Sequence, residues 1–270
     1  MGLGKEAKLA MKVTQELANQ VISLTQKAGE VILGVYSRDF DVIEKSDQSP
    51  LTEADLLSHQ TIVDGLAKLT PTVPVLSEES SERDIKNRLN WKTYWLIDPL
   101  DGTKEFVKKN GEFTVNIGLV HDHQPVFGVV YAPVLNLTYW GGVALGAHKI
   151  TQNRQLAISV RERPQSSTQW KIVGSRSHQS SEFKSFIEKY PGAEVISMGS
   201  SLKLCLVAEG VADLYPRLGL TSEWDTAASQ AVVEAAGGQV LRMPEMTSLR
   251  CNQDESSLLN PYFLVCGDAL

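Results

Sequence analysis

The chain has 270 residues, 42% hydrophobic and 21% charged, with a formal net charge of −6. Its length suits two domains better than one, because domains usually fall near ~100 to 150 residues. The acidic balance excludes a general nucleic-acid binder, which needs a basic surface to release counterions. Cys205, Cys251 and Cys266 form no C-x-x-C pair and read as reduced core residues of a cytoplasmic protein. Lys5, Glu6, Lys8 and Lys12 interrupt any signal-peptide pattern at the N-terminus.

Apolar residues at steps of three and four (Leu9, Val13, Leu17, Val21, Leu24, Ala28, Val31, Val35) predict a long amphipathic helix over residues 5–36. A turn at residues 46–50 leads into a second helix at Thr52, with Leu56, Val63, Leu66 and Leu69 as its apolar face and Pro71 and Pro74 after its end. A short strand at residues 73–76 runs into Ser77, Glu78, Glu79 and Ser80, and residues 81–92 read as a charged, mobile lobe. Residues 113–120, 125–131 and 137–143 read as neighbouring strands. The charge-free run at 126–147 is long enough to span a membrane. Its β-branched and aromatic content, broken by Pro133, Asn136, Gly141 and Gly142, favours a buried hairpin instead.

The polar stretch RERPQSSTQ at 161–169 places a domain boundary near 150–170, dividing the chain into an α+β domain over 1–155 and an α/β domain over 156–270. In the second, strands at 171–174, 194–198, 211–215 and 262–266 alternate with helices at 180–190, 200–209 and 225–236, the pattern of a layered α/β domain.

The stretch with the most chemistry is WLIDPLDGTKEF, residues 95–106. Pro99 lacks an N–H, so the strand is expected to stop at Asp98. Asp98 and Asp101 then share one turn with the Leu100 carbonyl, an oxygen-only set of the kind hard cations such as magnesium take. Gly102 frees the backbone, and Thr103 opens a short helix whose N–H groups favour an anion. Asp55, Glu78, Glu79 and Asp225 add carboxylates at strand ends or helix starts. Singly, each has a plain explanation: Asp55 fits a capping box after Thr52, Asp225 an N-cap, and the Glu pair a solvated loop. Jointly they supply oxygens for two divalent ions, which can clamp the attacking and leaving oxygens of phosphoryl transfer.

WLIDPLDGTKEF resembles the first signature of the inositol monophosphatase superfamily, and SEWDTAASQAVVEAAGG resembles the second; LTEAD, LSEES and LLNPYFLV also fall where the family has them. The resemblance implies an α/β protein with a layered αβαβα sandwich, a magnesium-dependent and lithium-sensitive phosphatase with two or three Mg2+ ions per site between its domains. It also implies Glu78, Asp98, the Leu100 carbonyl, Asp101 and Asp225 as metal ligands, with Asp55 and Thr103 orienting and deprotonating the attacking water.

Lys104, Glu105 and Phe106 stand where inositol monophosphatases usually have Thr-Asn-Phe, and DGTKEF and GSRSH are similar instead to the 3′(2′),5′-bisphosphate nucleotidases. That branch implies hydrolysis of adenosine 3′,5′-bisphosphate, a by-product of sulfate assimilation, with its 5′-phosphosulfate form as a second substrate. The alternatives are an inositol-phosphate phosphatase and a non-catalytic nucleotide-sensing protein. Gly102, Thr103, Lys104, Ser175, Arg176, His178, Gly199, Ser200, Lys203 and Arg217 are the candidate substrate-binding residues. A helix N-terminus with a guanidinium is a sound phosphate receptor. The expected partner is a small molecule alone, for a monomer or homodimer with no transmembrane segment. Cys251 stands where an aromatic is expected in that branch, and residues 244–248 lack its usual glycine.

Overall fold

The computed structural model describes residues 13–44, 50–152, 154–166, 169–175 and 180–267. Helix α1 (Gln15–Tyr36) starts later than its periodicity suggests, because the Thr14 side chain caps it by accepting the Leu17 N–H at 3.2 Å. The expected helical residues 5–12 and the turn residues 46–49 lie outside the described residues. An antiparallel hairpin, β1 (Val42–Glu44) and β2 (Pro50–Thr52), leads into α2 (Glu53–Leu69). Of the predicted face of α2, Leu66 is buried and Val63 and Leu69 pack against the core, beside Ala54 and Ile62, whereas Leu56 is 49% exposed. Polar Asp55 and Ser58 join the buried face instead, because hydrogen bonds wait for them at the end of the neighbouring sheet.

Next come β3 (Val75–Ser77) and α3 (Glu82–Asn87), then a 3-10 turn at Arg88–Asn90. This segment is not the loose lobe its charge suggests. Arg88 is buried, and its guanidinium donates to the carbonyls of Asp254 and Ser257 at 2.6 and 2.9 Å. Strand β4 (Thr93–Asp101) does not stop at Asp98 as Pro99 would suggest. Its pairing with the next long strand slips between Asp98 and Asp101, so Pro99 sits in a bulge where no ladder donor is needed.

After α4 (Thr103–Val107), the first sheet continues as a meander of β5 (Thr114–His121), β6 (Gln124–Ala132), β7 (Leu137–Gly142), β8 (Gly146–Thr151) and β9 (Arg154–Ile158). The seven strands lie in the order β3 to β9, antiparallel except for β3 beside β4. The 126–147 run thus forms strands, and among the described residues no helix is long and apolar enough to cross a membrane. β8 and β9 are polar strands at the sheet's edge, so their sequences lack the apolar run that marks the others.

The remaining chain alternates: β10 (Lys171–Ser175), α5 (Ser181–Ile187), β11 (Glu194–Met198), α6 (Leu202–Ala208), β12 (Leu214–Arg217), α7 (Glu223–Ala235), β13 (Gln239–Arg242), β14 (Thr247–Ser248) and β15 (Phe263–Cys266). Its six strands lie in the order β11, β10, β12, β15, β13, β14, with β10 parallel to β11 and β12 and with β15 antiparallel to β12 and β13. Helices α1 and α2 cover one face of the first sheet through Val21, Ile32, Ile62 and Leu66, which pack with Trp95, Ile117 and Val129. The other face meets α6 and α7, which in turn meet the second sheet: Val130 and Tyr139 share a core with Cys205, Val232, Val173 and Val265. Helix α5 closes the far side with Phe183 and Phe186 on Ile172 and Leu264. The order is αβαβα.

The central helix is pressed unusually close to the first sheet. A Cβ on Gly128 would lie 2.0 Å from the Ala228 carbonyl oxygen, so this strand position tolerates no side chain. That approach brings the start of α7, with Asp225, to the end of β4, with Asp98.

Candidate active site

Strands β3 and β4 are parallel, with Ser77 beside Ile97, and the Glu78 N–H donates to the Ile97 carbonyl at 3.2 Å. Glu78, just past the end of β3, therefore lies beside Asp98 of β4. Asp98 is 1% exposed, and its Oδ1 accepts the Leu100 N–H at 3.0 Å, which folds the bulge back on itself. Gly102 then takes φ +90°, ψ +41°, the left-handed conformation that lets α4 start immediately.

Asp55 and Asp225 occupy the same local position on two helices. Each is the third residue of a capping box, Asp55 accepting the Thr52 N–H at 2.7 Å and Asp225 the Ser222 N–H at 2.9 Å. Asp225 is thus not the N-cap, a place taken by Ser222. The cap ties down one oxygen and fixes the rotamer. The other oxygen of Asp55 lies 3.4 Å from Thr103 Oγ1, which is also 3.3 Å from the Leu100 carbonyl.

Asp98, Asp101 and Asp225 each offer one carboxylate oxygen, all within 4.8 Å of one another. Burial, then repulsion from Glu78, Asp101 and Asp225, holds the Asp98 carboxyl well above its ordinary range. Burial and then Asp101 push Asp225 up to about 8. The donors to Asp101 are neutral: Ser200 Oγ at 2.5 Å, Ser201 N at 2.6 Å and Ser201 Oγ at 2.7 Å. Crowded carboxylates bonded to neutral donors suit a hard cation, which would favour the ionised forms of Asp98 and Asp225. Glu78 lies outside this trio, but its charge acts on both Asp98 and Asp225.

The second half of the chain supplies the opposite wall. The Gly199 N–H donates to Glu112 Oε2 at 2.9 Å, Ser200 adopts φ +53°, and Ser200 Oγ lies 2.6 Å from Thr114 Oγ1. Asn116 Nδ2 donates to Ser201 Oγ at 2.8 Å. Helix α6, which follows this loop, presents Lys203, which is 8% exposed, its Nζ donating to the Ser200 carbonyl at 2.6 Å and standing 5.7 Å from the centre of the Tyr215 ring. Burial lowers the Lys203 pKa to about 8, against the pull of Asp101. Arg217 donates through Nη2 to the Leu220 carbonyl, while its buried Nε has no partner among the described residues.

Between the walls lies a cavity of about 170 Å³. Gly102, Lys104, Ser175, Gly199, Ser200, Lys203 and Arg217 line it, together with Asp101 and Asp225. Thr103 stands at its edge between Gly102 and Lys104. Leu100 contributes only its carbonyl, its side chain being in the core. Arg176 and His178 lie outside the described residues. Ser201, in the turn with Gly199 and Ser200, also lines the cavity, whereas sequence reasoning missed Tyr215, Thr221 and Phe263 in its wall, and Thr114 and Asn116 behind Asp101. Polar Thr114 and Asn116 alternating within an otherwise apolar strand were the available signal.

Residues 13–262 match the inositol monophosphatase family. The 3′(2′),5′-bisphosphate nucleotidase CysQ of Escherichia coli K12 is 49% identical, over 83% of this chain and 89% of that protein. The protein of the same name from Aggregatibacter actinomycetemcomitans is 40% identical, over 94% and 93%. Among solved structures, CysQ from Bacteroides thetaiotaomicron superposes with a TM-score of 0.83 at 40% identity, over 95% of this chain and 98% of that one. The Thermotoga maritima IMPase, 24% identical with a TM-score of 0.74 over 93% and 92%, shares the fold. With its paired signatures and its αβαβα layers, the chain belongs to the inositol monophosphatase family.

Proposed function

We propose that this chain is a magnesium-dependent 3′(2′),5′-bisphosphate nucleotidase that removes the 3′-phosphate of adenosine 3′,5′-bisphosphate, with the 5′-phosphosulfate form as a second substrate. One observation carries the reading: the carboxylate cluster shares its cavity with Lys203 and Arg217, so a second anionic group has cations to meet beyond the scissile phosphate. The CysQ names of relatives at 40 to 49% identity support the same choice. Glu78, Asp98, the Leu100 carbonyl, Asp101 and Asp225 would hold the ions. Magnesium bound there would neutralise phosphoryl oxygens and make a bound water more acidic.

The protein's own groups do the rest. Asp55, fixed by Thr52, accepts from the Thr103 hydroxyl, which leaves a Thr103 lone pair for a proton of the attacking water. The α4 N-terminus offers its N–H groups to the scissile phosphate. Lys203 and Arg217 are bonded to backbone carbonyls, neutral acceptors that a phosphate can replace with a stronger charge-assisted contact. The three free, buried cysteines suit a cytoplasmic setting.

The test is phosphate release from adenosine 3′,5′-bisphosphate, its phosphosulfate, inositol 1-phosphate and fructose 1,6-bisphosphate, each with magnesium and with excess chelator. The bisphosphate should give the highest kcat/KM, and the chelator should abolish turnover. A preference for inositol 1-phosphate, tight nucleotide binding without turnover, or full rate in chelator would each overturn the proposal.

A further inference from the structure

Helix α2 carries more than Asp55. Asp55, Ser58 and His59 are spaced i, i+3 and i+4, which places them on one face of the helix. Each reaches a different segment of the site. Asp55 Oδ1 meets Thr103 at the start of α4, 3.4 Å away. Ser58 Oγ donates to the Pro99 carbonyl at 2.8 Å, in the bulge between Asp98 and Leu100. His59 Nδ1 lies 2.9 Å from Ser77 Oγ, at the strand end from which Glu78 emerges.

The Ser77 contact reaches further than one pair. Ser77 Oγ also accepts the Glu79 N–H at 3.2 Å, and the Ser77 N–H donates to Ser80 Oγ at 2.8 Å, closing a turn around Glu78. Ser58 and Ser77 are both fully buried, so neither hydroxyl can exchange its partner for bulk water. We propose that Ser58 and His59 are positioning residues that fix the distance between the Glu78 turn and the Asp98–Leu100 bulge, setting the affinity of the site for divalent cations. This rests on reading Glu78 and Asp98 as metal ligands. Groups that orient ligands from behind typically alter metal affinity or activity by about 10- to 100-fold.

The probe is Mn2+ binding to the full chain, with free ion counted by electron paramagnetic resonance, beside the magnesium dependence of turnover. His59→Leu should raise the Mn2+ concentration for half-occupancy about tenfold, with a much smaller change in kcat at saturating magnesium. His59→Asn can place an amide where Nδ1 stood and should recover affinity to within about threefold. Ser77→Ala should lose at least as much as His59→Leu, since it also frees the Glu79 N–H, and the double variant should be no worse than Ser77→Ala, since both single variants remove the His59–Ser77 contact. If His59→Leu fails to fold, Ser77→Ala tests the same contact from its other end, and Ser58→Ala tests the contact to the Pro99 carbonyl. Wild-type Mn2+ affinity in His59→Leu, equal losses in the Asn and Leu variants, or additive losses in the double variant would overturn the proposal. A wild-type chain that binds no Mn2+ would instead overturn the ligand reading on which it rests.

Discussion

The acidic and basic walls of the cleft are carried by different elements. Asp98 sits in a sheet strand, and Asp55 and Asp225 are third residues of capped helices, so regular hydrogen bonding fixes all three. Lys203 and Arg217 flank the cavity from the first turn of α6, just after Ser200 at φ +53°, and from the end of β12. Both walls set charge against neutral partners, N–H and O–H donors on the acidic side and carbonyls on the basic side. The acidic wall awaits a cation, and the basic wall an anion. Hydrolysis should therefore depend on the first and choice of ester on the second.

The most severe way to test that division is to remove a charge from the acidic wall. Asp98→Asn should lower kcat/KM on every phosphate ester alike, because no ester can use the site without its central carboxylate. Bound metal supplies several kcal/mol of transition-state stabilisation, so the loss should reach about three orders of magnitude. The fold should survive, since the variant relieves repulsion from Glu78, Asp101 and Asp225. A substrate-dependent loss would mean that the walls do not divide the labour in this way.

A smaller effect should follow from the basic wall. Arg217→Ala removes a charge-assisted contact worth on the order of 1.5 to 3 kcal/mol, about one to two orders of magnitude in kcat/KM. That loss should appear with adenosine 3′,5′-bisphosphate and be nearly absent with adenosine 3′-monophosphate, which lacks the second phosphate. The ratio of the two specificity constants, before and after substitution, is the measurement. An unchanged ratio would remove Arg217 from the second-phosphate site.

The same division governs what could be read from the sequence. Asp98, Asp101 and Gly102 are legible because one tight turn needs those residue types in that order, and the Asp55 capping box is local within four residues. The layered α/β pattern of the second half was legible too, since strand and helix periods alternate visibly after Trp170, whereas the full αβαβα order followed from the family resemblance. What escaped depends on contacts between distant segments. Arg88 looks like a surface charge until the loop carrying Asp254 and Ser257 offers it two carbonyls. Leu56 looks like core until Asp55 and Ser58 claim the buried face of α2. Pro99 signals a strand end, and only pairing with β5 reveals a bulge that accommodates it. Lys203 is a substrate-binding candidate in the sequence, but its burial between the Ser200 loop and Tyr215, which lowers its pKa, shows only in the fold.

The smallest expected effect concerns stability, and its sign separates a site built for a cation from one merely crowded with acids. Without metal, Asp225 has a folded-state pKa of about 8, against an ordinary value of 3.8. Between those values the unfolded chain gives up this proton while the folded chain keeps it. The resulting stabilisation is complete below the ordinary value, shrinks as pH rises, and is gone once the folded-state pKa is passed. The slope from one such group is at most about 1.4 kcal/mol per pH unit. For a chain of this size that corresponds to roughly 2 °C or more per unit. In chelator, the melting temperature of the wild type should therefore fall relative to that of Asp225→Asn between pH 5 and 8. Saturating magnesium should abolish or reverse the fall in the wild type, because the ion binds the deprotonated cluster and competes with protons for it. Melting curves of both chains with and without magnesium check this. A constant difference between wild type and variant across the pH range would show that Asp225 is already ionised in the metal-free fold.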